Sequence, residues 1–187
     1  MSFTTFKYYF YTKTTVDVNK AYIGIDPGKQ GGIVINYDGS VIKAHVMPVI
    51  GKEYDLKSLF KILKDTSMFN CYCVLEDVHA IFGSAAGSTF DFGYGLGLIE
   101  GILTACEIPY TKVAPKAWQK KMFEGVPLIT KPSSTKKTMV TDTKKMATIA
   151  AQRMFPTFDL RGTEKCRTPH SGVVDALLMC EYSRRNF

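Results

Sequence analysis

The stretch "AYIGIDPGKQGGIVI", residues 21–35, decides the fold. Residues 21–26 read as a buried strand that ends on a single carboxylate, Asp26, before Pro27 and Gly28 turn the chain. Two more strands follow, "GGIVINY" (31–37) and "VIKAHVM" (41–47), and the Asp38-Gly39 pair between them is a two-residue hairpin signal. The chain therefore opens on a three-stranded antiparallel meander. An acid at the end of such a strand can grip a metal ion, form the turn, or belong to a phosphate-binding loop. The rest of the chain has to separate these.

Beyond the meander, "YDLKSLFKILKD" (54–65) sets Leu56, Leu59, Phe60 and Leu63 at helical spacing. "CYCVLE" (71–76) is a β-rich strand ending on Glu76, and a Gly/Ser-rich loop leads to a helical stretch over 88–106 and a strand over 109–113. Pro115 opens a helix over 115–123, residues 124–141 read as a mobile loop or lid, and Asp142 is the expected N-cap of a helix over 142–155. Residues 156–170 are irregular and basic, and 171–183 form a final helix. A meander followed by alternating helices and strands predicts an α/β, ribonuclease-H-like fold, a mixed five-stranded sheet flanked by helices. The related actin-like ATPase domain has the same opening.

The 187 residues suffice for one domain, read as 21–187, with residues 1–20 as an N-terminal extension that contributes at most one extra strand. No run reaches the roughly 18 apolar residues of a membrane span. The first 20 residues carry no continuous apolar core, which argues against a secretory signal, and no Arg, which leaves organelle targeting weakly supported. Five cysteines without CxxC spacing indicate a reducing, intracellular compartment and mostly buried thiols. Cys71 and Cys73 would share one strand face, but two ligands do not make a zinc site. The net charge of +7 favours polyanionic partners, nucleic acid ahead of acidic membrane surfaces.

Three carboxylates stand out by position. Asp26 ends the first strand, Glu76 ends the fourth, and Asp175 lies early in the last helix. Ligands of α/β sheets gather outside strand ends where the winding order reverses. If the first and fourth strands are neighbours, Asp26 and Glu76 stand side by side, with Asp175 delivered by a helix across the same sheet. Like charges so placed repel, and a divalent cation resolves the conflict; oxygen ligands suit Mg2+ or Mn2+. Two such ions roughly 4 Å apart can activate a water and stabilise the leaving oxygen of a phosphodiester. Against this, Asp before Pro-Gly is a common turn former, and an acid in "GVVDALLM" can serve as a buried capping partner. Asp77, next to Glu76, is expected to face the other way and to be solvated or salt-bridged.

"GIDPGKQGGI", "VLEDVHAIFG", "FDFGYGLGLIEGIL", "PKAWQKKMF" and "PHSGVVDALLMCEYSRR" resemble, in this order and spacing, the RuvC-like Holliday junction resolvases, especially those of bacteriophages. The resemblance spans roughly residues 21–185. It implies a structure-selective endonuclease that cuts four-way or branched DNA by paired symmetric nicks, leaving 5′-phosphate and 3′-hydroxyl ends, with two divalent metals per active site, in the host cytoplasm if the source is viral. Asp26, Glu76 and Asp175 fall on the family's catalytic carboxylates. Relatives often read His-Asp-Gly before the last Asp, where this chain reads His170-Ser171-Gly172. Ser171 lies one helical turn before Asp175, and a hydroxyl is a poorer ligand than a carboxylate. His170 or a water then fills the gap, or the second metal site is weakened.

The basic residues are grouped. Lys116, Lys120 and Lys121 surround Trp118; Lys136, Lys137, Lys144 and Lys145 follow; Arg161, Lys165 and Arg167 precede the last helix. Such clusters neutralise phosphates and steepen the salt dependence of binding. Trp118 reads as core rather than a base-stacking platform, and His79 as structural rather than catalytic. Gly93, Gly95, Gly97 and Gly101 do not spell a dinucleotide fingerprint and instead permit close approach of another helix. A roughly twofold junction makes a C2 homodimer the economical partner, with this helix at or near the interface, as the resemblance suggests. Phe82 and Phe90 are candidates for insertion at a junction crossover. Two competing functions remain: an actin-like ATPase or phosphotransferase, for which the chain is short by one domain copy, and a junction-binding protein with a degenerate nuclease site.

Overall fold

A computed structural model describes residues 20–77, 85–133 and 137–187, and of Ser88 the backbone only. The extension through residue 19, His79, Phe82 and Lys136 therefore lie outside the described residues.

The meander forms as expected. β1 (Lys20–Asp26), β2 (Gly32–Tyr37) and β3 (Val41–Val46) pair antiparallel in sequence order. Asp38 and Gly39 both take positive φ, 53° and 75°, as in a type I′ turn closed by the Ser40 N–H on the Tyr37 carbonyl. Tyr37 pairs with Val41, however, so the loop has one residue more than the expected two. Two short strands not anticipated from the sequence, β4 (Val49–Ile50) and β5 (Glu53–Tyr54), then fold back around Gly51. Tyr54 thus belongs to β5, and α1 (Leu56–Thr66) begins after Asp55, whose carboxylate accepts the Ser58 N–H at 3.1 Å.

β6 (Asn70–Glu76) returns parallel to β1, α2 (Ala86–Ala105) crosses over, and β7 (Tyr110–Val113) lies parallel to β6. The result is a mixed five-stranded sheet, order β3-β2-β1-β6-β7, with helices on both faces. α3 (Pro115–Met122) starts on its proline. Residues 124–141, expected as an open loop, contain a two-stranded ribbon, β8 (Thr130–Pro132) and β9 (Met139–Thr141). Asp142 caps α4 (Thr143–Met154) as expected, and α5 (Ser171–Asn186) runs three residues further than the sequence indicates.

Strand alternation divides the core in two. Ala21, Ile23, Ile25, Ile33, Ile35, Cys71, Cys73 and Leu75 pack with Leu59 and Leu63 of α1 and Ile99 and Leu103 of α2. Leu56 and Phe60 are largely exposed, so the stripe by which α1 meets the sheet is narrower than its apolar face. On the other side, Val34, Ile42, Val74 and Val113 pack with α3, α4 and α5. α5 lies between the sheet and α3 and α4, which is why Val173, Val174 and Ala176 through Cys180 are all buried. Each large apolar side chain so buried stabilises by about 1.5–3 kcal/mol, so docking of α5 dominates this face.

Glycine permits that docking. A Cβ on Gly24 would stand 2.1 Å from the Ala176 carbonyl oxygen, and one on Gly172 would stand 2.3 Å from that of Gln30. Both obstacles are backbone and cannot move aside. α5 therefore rests directly on β1, with its first turn against the β1–β2 loop. All five cysteines are free, and only Cys166 is exposed. Among the described residues, no helix is long and apolar enough to cross a membrane.

Candidate active site

Ile25 pairs with Leu75 across the parallel β1–β6 register, so Asp26 and Glu76, the next residues, end adjacent strands on the same face. It is the face on which Gly24 touches α5. Asp175 follows Gly172, which abuts Gly31, and precedes Ala176, which abuts Gly24. The two backbone contacts bracket Asp175 and hold it over the end of β1.

The electrostatics record this convergence. Burial pushes Glu76 up to about 7, and the Asp26 charge adds to the rise. Asp175 is likewise pushed up to about 7, by burial first, then by Asp26 and Glu76. Asp26 is raised by burial, against the lowering effects of the Gly28 N–H and Lys144. Its Oδ1 accepts that N–H at 3.3 Å, so Asp26 is the turn former as well as a member of the acidic group. Among the described residues, no three His, Cys, Asp or Glu side chains close into a ready-made metal cage. The carboxylates are close enough that Asp26 raises Glu76, and that both raise Asp175.

His170 is the N-cap of α5, its Nδ1 accepting the Val173 N–H at 3.3 Å, which leaves only Nε2 for any other partner. Capping of this helix therefore falls to His170 and not to Asp175. Ser171, half-buried, occupies the first helical position.

Trp118 is fully buried, as the sequence suggested, but it also donates its indole N–H to Glu76 Oε1 at 3.1 Å. The contact joins α3 to β6 across 42 residues, and nothing local in the sequence signals it. Tyr54 is a second unanticipated participant. It is buried, donates its hydroxyl to the Pro27 carbonyl at 2.9 Å, and leaves no room for a side chain at Gly95 of α2. The loop after Asp26 is thereby tied to α2, and the Lys29–Asp91 ion pair at 3.7 Å makes the same connection.

Lys116, Lys120, Lys121, Lys137, Lys144, Lys145, Arg161, Lys165 and Arg167 are all exposed. Lys144 acts on both Asp26 and Asp175, which sets the first turn of α4 beside the carboxylates. Two lysines there oppose the helix dipole, which prefers anions at this end. Lys121 lies over the Tyr182 ring and bonds Asn186, while Arg161 is engaged by Asp159 and by the Glu164 and Cys166 carbonyls. Asp77 is within electrostatic reach of Lys112, whose ion pair is with Glu100 at 3.1 Å. On α2, a Cβ at Gly93, Gly97 or Gly101 would meet nothing within 4 Å, so no other part of the described chain packs there. Comparison with protein-family models gives no match to this chain, and comparison with curated proteins gives none either.

Proposed function

We propose that this chain is a metal-dependent endonuclease of the ribonuclease-H-like class, of the RuvC-like kind, cutting four-way or branched DNA by paired nicks. One observation carries the reading. Half-buried acids from two adjacent strand ends and one helix are all raised by burial, Asp26 raises Glu76, and both raise Asp175. Among the described residues, Lys144 is the one side-chain cation that opposes the rise at Asp26 and Asp175. Such an arrangement costs stability unless a cation is its purpose.

The donor set fits Mg2+ or Mn2+ in its chemistry, since it is all carboxylate oxygen with a hydroxyl and one imidazole nitrogen nearby. Asp26, Glu76 and Asp175 would hold the ions, with Ser171 and His170 at the margin. Bound divalent ions supply the charge that makes a water nucleophilic and stabilises the departing oxygen. The chain's own part is to hold three carboxylates at the strand ends and to set Lys144 beside them as a cation for a phosphate. The exposed lysines of α3 and Lys145 of α4, with Lys165 and Arg167, would follow the DNA backbone at a distance from the cut. Exposed Phe90, Phe92 and Tyr94 on α2, with its open glycines, suit a second copy of the chain.

Ser171 favours a second reading, a junction-binding protein whose weakened metal site binds without cutting. A synthetic mobile four-way junction, incubated with wild type and Asp26→Asn with and without Mg2+, separates the two. Paired symmetric nicks that require both Mg2+ and Asp26 support the nuclease. Binding without nicks supports the second reading, and ATP turnover without DNA would overturn both.

A further inference from the structure

Among the described residues, Glu76 is the only one of the three carboxylates with a neutral side-chain donor fixed on it. That donor, the Trp118 indole N–H, cannot rotate, accept a proton or be replaced by water, because the ring is fully buried and packed edge-on against Phe123 at a 6.0 Å centroid separation. Ala114 and Pro115 start α3 directly after β7, which is hydrogen-bonded to β6 up to the Glu76–Val113 pair. The rigid end of the sheet thus sets the position of the indole relative to the carboxylate.

We propose that Trp118 is a positioning residue that holds one oxygen of Glu76 and leaves the other to bind an ion, so that Glu76 ligates through a single oxygen. The inference rests on the metal-site reading above and adds a specific partner to it. An indole N–H suits this task chemically. It donates without carrying charge, so it orients the carboxylate without neutralising it, as a lysine or arginine would. Outer partners of this kind typically tune metal affinity by about tenfold to a hundredfold.

Trp118 is the single tryptophan of the chain, which makes the test clean. In a 1H–15N spectrum of the whole protein it gives one indole cross-peak. That peak is expected to move on Glu76→Ala and on addition of Mg2+, and to stay nearly in place on Asp65→Asn, a control in α1 on the opposite face of the sheet. Growth on β-(3-benzothienyl)alanine replaces this one residue with an isostere that keeps both rings and lacks the N–H. It avoids the packing loss that could unfold Trp118→Phe. Mn2+ affinity, measured calorimetrically without DNA, is expected to fall about tenfold in the isostere protein. An indole peak indifferent to Glu76→Ala, or an isostere protein binding Mn2+ as tightly as wild type, overturns the proposal alone. Wild type that binds neither Mg2+ nor Mn2+ overturns the metal-site reading and this inference together.

Discussion

α5 carries two carboxylates turned toward the protein, half-buried Asp175 near its start and buried Glu181 near its end, and the molecule treats them oppositely. Burial would raise Glu181, but Arg184 at 2.7 Å and Arg185 at 2.7 Å outweigh it and hold its carboxyl below the usual range. Asp175 feels Lys144 only at longer range, as a charge that lowers it less than burial, Asp26 and Glu76 raise it, and it is pushed up to about 7. One acid is stabilised as an anion by its own helix. The other is kept in a position where ionisation is unfavourable. The fold sets two arginines one turn away from Glu181, and at Asp175 it supplies only the longer-range charge of Lys144. Under the proposed function, the contrast separates a structural carboxylate from one held for chemistry.

The strongest way to break the comparison is activity. Asp175→Asn is expected to lower Mg2+-dependent nicking of a four-way junction by more than about a hundredfold, beyond the cost of losing an outer partner. Glu181→Gln should stay within a few-fold of wild type. Equal losses would make the two acids alike and remove the argument for a site at Asp175.

Next in size is the contact that sets Asp175 over β1. Gly172→Ala drives a Cβ to within 2.3 Å of the Gln30 carbonyl oxygen, a backbone obstacle. A loss of about 3 kcal/mol or more is expected, read as a fall in the denaturation midpoint. Cleavage should fall further than the loss of folded protein accounts for, since Asp175 is displaced from Asp26. Glu181 has no comparable dependence, because it finds its arginines on the same helix and needs no close backbone contact to reach them. Much of the site's legibility turns on this difference between local and tertiary partners. Asp26 and Glu76 can be paired from strand parity, and Asp175 from its place in an apolar helix. Trp118 can be read as core, but not as the donor to Glu76, because that contact depends on how α3 leaves β7. The ribbon of β8 and β9 is not legible because its strands of three residues are exposed on both faces and so lack alternation. Tyr54 merges with the helix behind it for the opposite reason: its apolar ring fits the helical pattern, and the turn at Gly51 that places it in a strand is short.

A smaller effect sharpens the comparison through its sign. Glu76 and Asp175 have folded values near 7, above those of the unfolded chain, so the folded form holds extra protons between about pH 4 and pH 7. Their penalty is absent below that window and complete above it. The metal-free protein should therefore gain stability as pH falls from about 8 to about 6, and Mg2+ should restore it at the higher pH. Asp175→Asn is expected to raise the midpoint at roughly pH 8 by about 1–2 kcal/mol, with a smaller gain at roughly pH 5. Glu181→Gln should lower it by a similar amount, after allowance for arginines that are about 40% exposed. Its contribution is present above the unfolded carboxylate range and is lost as pH falls through the lowered folded value. Thermal melts of both variants across pH would settle the signs, and a destabilising Asp175→Asn at high pH would refute the strained-acid account.

The smallest expected change tests whether the site is complete. Ser171 is the first residue of α5, directly after the His170 cap, where an anion is favoured by the helix dipole by about 0.3–1 kcal/mol. An aspartate there also adds a fourth acid one turn from Asp175, and without metal that repulsion offsets the dipole gain. Ser171→Asp should thus leave metal-free stability near that of wild type, unlike an acid placed, as Glu181 is, beside arginines of its own helix. With Mg2+ present the added carboxylate has an ion to bind, and nicking should rise by a few-fold, most at low metal. An unchanged or lower rate at saturating Mg2+ would mean that the hydroxyl, or His170 through its open Nε2, already serves the position. The departure at Ser171 would then be an adjustment of the ligand set and not a weakness in it.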